Sequence, residues 1–149
     1  MNIHNNVLMG NVQSLAKVTY EYVKEIVTNQ SPVFLLCTLK RDKERFAIVR
    51  TIGIDNEEDC INQLINKRQY NTTIVIYGEN MYDPTVISKY KQLKQIGFIN
   101  CYIYFGGLFE WFLLQDVYGC EMFPTKNTPL NGCLQFKPQS TIIQPYNNS

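Results

Sequence analysis

Residues 72–119 read TTIVIYGENMYDPTVISKYKQLKQIGFINCYIYFGGLFEWFLLQDVYG. The run Thr72 to Tyr77 is β-branched and apolar without alternation, the pattern of a strand covered on both faces. Gly78 to Tyr82 is a loop. Asp83 suits a helix N-cap, Pro84 its first position, and Gly97 the left-handed residue after its end. Between them Val86, Ile87, Tyr90, Leu93 and Ile96 form one apolar face, while Lys89, Lys91 and Lys94 face water. Cys101 to Phe105 is a further strand. Gly106-Gly107 then turns tightly into a helix over Leu108 to Tyr118, which is apolar almost all round and so needs packing on more than one side.

Working outward, Glu57 to Lys67 predicts a helix capped by Asp55 or Asn56. Acids crowd its first turn, Lys67 and Arg68 sit in its last, and Cys60, Ile61, Leu64 and Ile65 point inward. Phe46 to Ile54 reads as a short strand, Lys40 to Arg45 as a loop, and Val33 to Cys37 as a buried strand. From Asn11, apolar steps at Val12, Leu15, Ala16, Val23, Ile26 and Val27 predict a helix ending before Asn29-Gln30-Ser31-Pro32. Residues 1–10 are a polar, flexible N-terminus, and residues 11–120 a single domain. Prolines 124, 129, 138 and 145 make residues 121–149 a C-terminal extension packed on that domain. The fold class is α/β, a three-layer αβα arrangement with a mainly parallel central sheet. Such sheets bind ligands where strand C-termini meet helix N-termini. The candidate ligand loop is therefore Gly78, Glu79, Asn80, Met81, Tyr82 and Asp83.

Composition removes several function classes. A chain of 149 residues with 45% hydrophobic residues fits one domain with a real core. A net charge of +1 lacks the basic excess of a nucleic-acid binder, and Lys40-Arg41 and Lys67-Arg68 read as solvated element ends. Five cysteines, Cys37, Cys60, Cys101, Cys120 and Cys133, include no C-x-x-C pair and form no disulfide framework. His4 is the one histidine, so no zinc site and no Ser-His-Asp set is expected. No phosphate-binding or dinucleotide glycine motif is present, and neither a metal nor another cofactor is expected. No apolar run approaches the roughly 18 residues of a membrane span, and no secretory signal opens the chain, so the expected location is the cytoplasm. The glycosylation-like patterns at Asn71 and Asn147 are read as chance in an Asn-rich chain.

From Thr72 to Pro124 the chain resembles the second half of a rhodanese-like domain. The resemblance rests on Leu93-Lys94-Gln95-Ile96-Gly97-Phe98, Asn100, Gly106-Gly107-Leu108 and Trp111, in that order and spacing. The family's early Asp-x-Arg strand end and its Gly-His-Ile-Pro-Gly-Ala segment are replaced by Cys37-Thr38-Leu39 and Arg50-Thr51-Ile52-Gly53. The chain is also similar to single-domain rhodanese-like proteins of protists and large DNA viruses. It shares with them Gly106-Gly107-Leu108-Phe109-Glu110-Trp111, Leu113-Leu114-Gln115-Asp116 and Phe123-Pro124-Thr125. Its Asn-, Ile- and Tyr-rich composition suits an AT-rich genome.

The resemblance implies a persulfide-carrying cysteine directly after the central strand, cradled by loop amides, with an arginine typically closing the loop. Gly78 stands at the cysteine position and Asp83 at the position five further on. Glycine carries no nucleophile, and a carboxylate at the loop exit competes with an anion for the amides. Both changes argue against an enzyme; if the chain is one, the implied activity is a rhodanese-like sulfurtransferase.

Three functions follow. The first is a catalytically silent module that binds a protein partner or a small anion through residues 78–83. The second is a thiosulfate sulfurtransferase using a displaced cysteine, with Cys37 the alternative nucleophile because it ends a strand on the ligand side. The third is a structural subunit of a larger assembly using the segment from Glu121, which should then be removable without unfolding the domain. Cys60 and Cys101 read as core, and Trp111 as a core anchor. Glu57-Glu58-Asp59 matches a helix dipole, and Glu110 and Asp116 face outward. Tyr77, Met81 and Tyr82 are candidates for a recognition surface beside the loop.

Overall fold

The computed structural model describes residues 15–139. Three short strands, β1 (Phe34–Cys37), β2 (Thr73–Tyr77) and β3 (Asn100–Tyr104), pair in parallel in the order β1-β2-β3. Leu36 lies beside Ile76, and Ile76 beside Ile103. Among the described residues four helices surround them: α1 (Tyr20–Asn29), α2 (Ile54–Asn66), α3 (Pro84–Ile96) and α4 (Gly107–Tyr118).

The period of two along each strand sorts the core into two layers. Leu35, Cys37, Val75, Tyr77 and Tyr104 face Val23 and Ile26 of α1 and Leu108, Trp111 and Phe112 of α4. Leu36, Ile74, Ile76, Cys101 and Ile103 face Leu64 of α2 and Val86, Tyr90 and Leu93 of α3. Helices thus cover both faces of the sheet, as uninterrupted apolar strands demand. The result is the three-layer α/β architecture expected from the sequence.

Some expected elements differ. The segment before Tyr20 is extended at the described residues 15–19, and Lys17 pairs alongside Ile103 through the Ile103 amide to Ala16 (2.8 Å) and the Val18 amide to Ile103 (2.9 Å). The helix predicted from Asn11 therefore begins at Tyr20. Leu15 and Ala16 imitated helical spacing while belonging to a sheet edge that needed covering. At the opposite edge, Thr51 pairs alongside Leu35, and the Ile52 amide donates to Leu35 (2.9 Å). The strand predicted over Phe46 to Ile54 is reduced to that bridge and one from Ile48 to Thr125, after a 3-10 turn at Glu44–Phe46.

Helix α2 starts at Ile54, so Asp55 and Asn56 lie inside its first turn and neither caps it. The Ile54 amide instead donates to the Glu44 carboxylate at 2.6 Å, a cap delivered from the preceding turn. Ile96, expected on the buried face of α3, is exposed. Lys89, expected to face water, is half-buried and paired with Glu57 at 2.8 Å. Helix α4 is less enclosed than its composition predicted, because Leu113, Val117 and Tyr118 remain exposed.

The described part of the segment after α4, to residue 139, contributes to the core. Phe123 and Phe136 are fully buried, and Phe136 stacks on Phe112 with centroids 5.4 Å apart. Gln115, buried on α4, donates to the Phe123 carbonyl (2.8 Å), and the Trp111 ring N–H donates to the Pro124 carbonyl (3.3 Å). Residues 1–14 and 140–149 lie outside the described residues, and with them the expectations placed on residues 1–10, His4, Asn11, Val12, Pro145 and Asn147.

Candidate functional site

The loop between β2 and α3 is held from three directions. From below, Tyr77 is fully buried, and its hydroxyl accepts from the Ile48 amide (3.0 Å) and lies 2.6 Å from the Thr51 hydroxyl. Burial raises the Tyr77 phenol well above its ordinary range. Tyr77 is a strut tying β2 to the 48–51 segment, and the expectation that it belongs to a recognition surface is corrected.

From the side, the Leu108 amide donates to the Gly78 carbonyl (3.0 Å) and the Phe109 amide to the Glu79 carbonyl (2.8 Å). The first free amides of α4 are thereby occupied by the loop. This approach requires Gly107, whose φ is +63°: a Cβ there would stand 2.6 Å from the Gly78 carbonyl oxygen and 2.9 Å from the Asn80 nitrogen. From above, the Asn80 side chain donates to the Phe136 carbonyl (3.0 Å). The Lys43 ammonium pairs with Glu79 and lies 5.6 Å from the centre of the Phe136 ring. The late segment thus forms one wall of the site. Its proline-broken sequence has no periodicity from which that role could be read.

Asp83 is the centre of the loop. One carboxylate oxygen accepts from the Thr85 amide (3.0 Å) and the Thr85 hydroxyl (2.6 Å), capping α3 as expected. The other accepts from the Glu79 amide at 3.3 Å and lies 3.5 Å from the Thr38 hydroxyl. The remaining turn is closed by the Tyr82 amide to the Asn80 side-chain oxygen (3.0 Å) and the Asp83 amide to the Asn80 carbonyl (3.2 Å).

Gly78 has no left-handed φ, so its backbone would accept a side chain. Space does not. A Cβ there would stand 2.5 Å from the second Asp83 oxygen, 2.6 Å from Val86 Cγ2 and 2.9 Å from Thr38 Oγ1. The volume where a nucleophile on residue 78 would begin is filled by the Asp83 carboxylate.

In front of the loop lies a cavity of about 400 Å³, reached by Thr38, Lys40, Glu79, Asp83, Gln135 and Lys137 among others. Met81 and Tyr82 stand at the loop tip with 59% and 71% of their surface exposed. Of the six loop residues, these two are presented outward, whereas Gly78 is buried.

Cys37 is close by but belongs to a different opening. It is 5% exposed and borders a cavity of about 340 Å³ between β1, α2 and α3, with Ser88 and Lys89. Burial pushes its thiol up to about 11, and the nearby Glu44 and Glu57 add to the rise, so at neutral pH it is protonated and weakly nucleophilic. Cys101 is buried in the core, with its thiol also raised by burial. Cys60 is half-buried on α2, and Cys120 is exposed just beyond α4. The Cys133 thiol is raised by burial and by Asp116, which lies 3.8 Å away.

Glu110, expected to face outward from α4, turns back and accepts from the Tyr104 hydroxyl at 2.8 Å. Among the described residues no group of three or more His, Cys, Asp or Glu side chains is arranged to hold a metal. No helix among them is long and apolar enough to cross a membrane.

Neither a protein-family model nor a curated protein matches the chain. Solved structures do. The crystal structure of the Alr3790 protein from Anabaena sp. superposes with a TM-score of 0.54 at 20% identity, covering 76% of this chain and 83% of that one. The solution structure of the rhodanese-like domain from the Anabaena sp. Alr3790 protein gives a TM-score of 0.52 at 17% identity, covering 69% and 75%. The fold of this chain is rhodanese-like.

Proposed function

We propose that this chain is a catalytically silent rhodanese-fold module that binds a protein partner through the loop of residues 78–83. The reading is carried by one observation: the Asp83 carboxylate fills the space in which a residue-78 nucleophile would stand and takes the amides that would stabilise its anion. Amides at a helix N-terminus are a ready anion site only while they are free. Those of Glu79, Tyr82, Asp83 and Thr85 are all given to acceptors inside the loop. That disfavours a compact oxyanion as ligand and favours a partner met by side chains, of which Met81 and Tyr82 are the most exposed on the loop.

A displaced-cysteine sulfurtransferase is the second reading, favoured by the position of Cys37 on a cavity shared with Lys89. Its raised thiol weighs against it, because the thiolate is the species that attacks. Incubation with thiosulfate followed by intact-mass measurement separates the two. The silent module gains no sulfur. A stable gain of one sulfur that disappears in Cys37→Ser would overturn it. The structural-subunit reading loses its original test, since removing the chain from Glu121 would strip Phe123 and Phe136 from the core. For its source we propose a protist or a large DNA virus, on the Gly106 to Trp111 stretch and the composition.

A further inference from the structure

Five charged side chains reach the cavity in front of the loop: Lys40, Lys43, Lys137, Glu79 and Asp83. They are not equally available. Lys43 and Glu79 neutralise one another, and Asp83 is engaged by the Glu79 and Thr85 amides and the Thr85 hydroxyl. Lys40 and Lys137 are exposed and have no ion-pair partner among the described residues. They come from distant parts of the chain, one leaving β1 and the other following the buried Phe136. The charge still available to a ligand is therefore positive, carried on flexible stems at the rim and not by backbone amides at the centre.

We infer that the partner presents an acidic segment, whose carboxylates meet Lys40 and Lys137 while an apolar residue beside them meets Met81 and Tyr82. This rests on the loop reading above and specifies its ligand. Separated ammonium groups act as mobile point charges and suit carboxylates spaced along an extended chain. A tetrahedral oxyanion needs convergent donors, and four of those around the loop, the Glu79, Tyr82, Asp83 and Thr85 amides, are occupied. Because the two lysines are at the rim, their effect should fall mainly on association rate and weaken with added salt.

The test uses the full chain and fluorescence anisotropy. One probe is a fluorescein-labelled peptide of glutamates flanking a single phenylalanine, and the other replaces each glutamate by glutamine. The acidic probe should bind about tenfold tighter than its neutral counterpart, and a Lys40→Glu/Lys137→Glu variant should remove that advantage. Met81→Ala/Tyr82→Ala should weaken both probes. Circular dichroism of the lysine variant should be unchanged, since both side chains are exposed. If the probes bind equally and only the Met81/Tyr82 variant weakens them, the acidic partner is overturned and the loop reading stands. If the lysine variant matters and the Met81/Tyr82 variant does not, the loop reading fails while the acidic preference survives. An acidic probe that fails to bind at millimolar concentration overturns the inference outright.

Discussion

Placing a side chain at Gly78 is the most direct probe of the loop. Glycine-to-alanine substitution at a compatible φ stabilises by about 0.4–1 kcal/mol, by restricting the unfolded chain. At Gly78 three contacts would fall below 3.0 Å, to Asp83 Oδ2, Val86 Cγ2 and Thr38 Oγ1. Overpacking of that kind costs about 1–3 kcal/mol. Pushing the Asp83 carboxylate aside loses the α3 cap as well, at about 1 kcal/mol. The clash wins, and Gly78→Ala should destabilise by about 1–3 kcal/mol.

Asp83→Ala alone should cost about 1 kcal/mol, from the lost cap. In the double variant the 2.5 Å contact is gone, so the penalty at residue 78 should shrink. The pair should then show a coupling of at least about 1 kcal/mol in a double-mutant cycle. Urea unfolding of the four proteins gives the cycle, and slopes of about 1–3 kcal/mol/M make the shifts readable in the midpoints. Strict additivity, or a neutral Gly78→Ala, would refute the claim that Asp83 occupies the vacated nucleophile position. Gly78→Cys/Asp83→Ala should take up sulfur from thiosulfate, with release of sulfite, more readily than Gly78→Cys alone, since only the former removes the carboxylate that competes for the Glu79 and Thr85 amides.

Three further outcomes are expected. The Cys37 thiol is raised from 9.0 to about 11 in the folded protein, so the folded form holds its proton more tightly than the unfolded form. That stabilisation is present below pH 9 and is lost as pH rises to about 11, a contribution of about 3 kcal/mol that Cys37→Ser should remove in pH-dependent urea melts, leaving the alkaline loss that comes from the buried Tyr77 phenol. Phe136→Ala should destabilise by about 3–5 kcal/mol, because its ring is fully buried between Phe46 and Phe112; a loss under 1 kcal/mol by thermal melting would mean the late segment is merely draped. Tyr77→Phe leaves the buried Ile48 amide without its acceptor and should cost about 1–3 kcal/mol, read by denaturant unfolding and by faster hydrogen exchange at Ile48.

By itself the sequence determined what local chemistry controls. Uninterrupted apolar runs specify buried parallel strands, Asp83-Pro84 and Gly97 bracket α3, and Gly106-Gly107 opens α4, because each signal lies within a few residues of the structure it causes. That residue 78 offers no side-chain nucleophile is equally legible, since it is a statement about one glycine. Tertiary structure alone decided what depends on residues far apart in the chain. Leu15 and Ala16 have helical spacing yet join a sheet edge, and Glu44 caps α2 from ten residues before Ile54, in place of Asp55 or Asn56. Glu110 turns inward because a buried Tyr104 hydroxyl needs an acceptor. Phe136, which follows Asn80 by 56 residues, closes the loop cavity through a backbone carbonyl that no pattern reveals. Long-range contacts are set by which surfaces remain uncovered after the helices pack, and a short window of sequence carries no record of that.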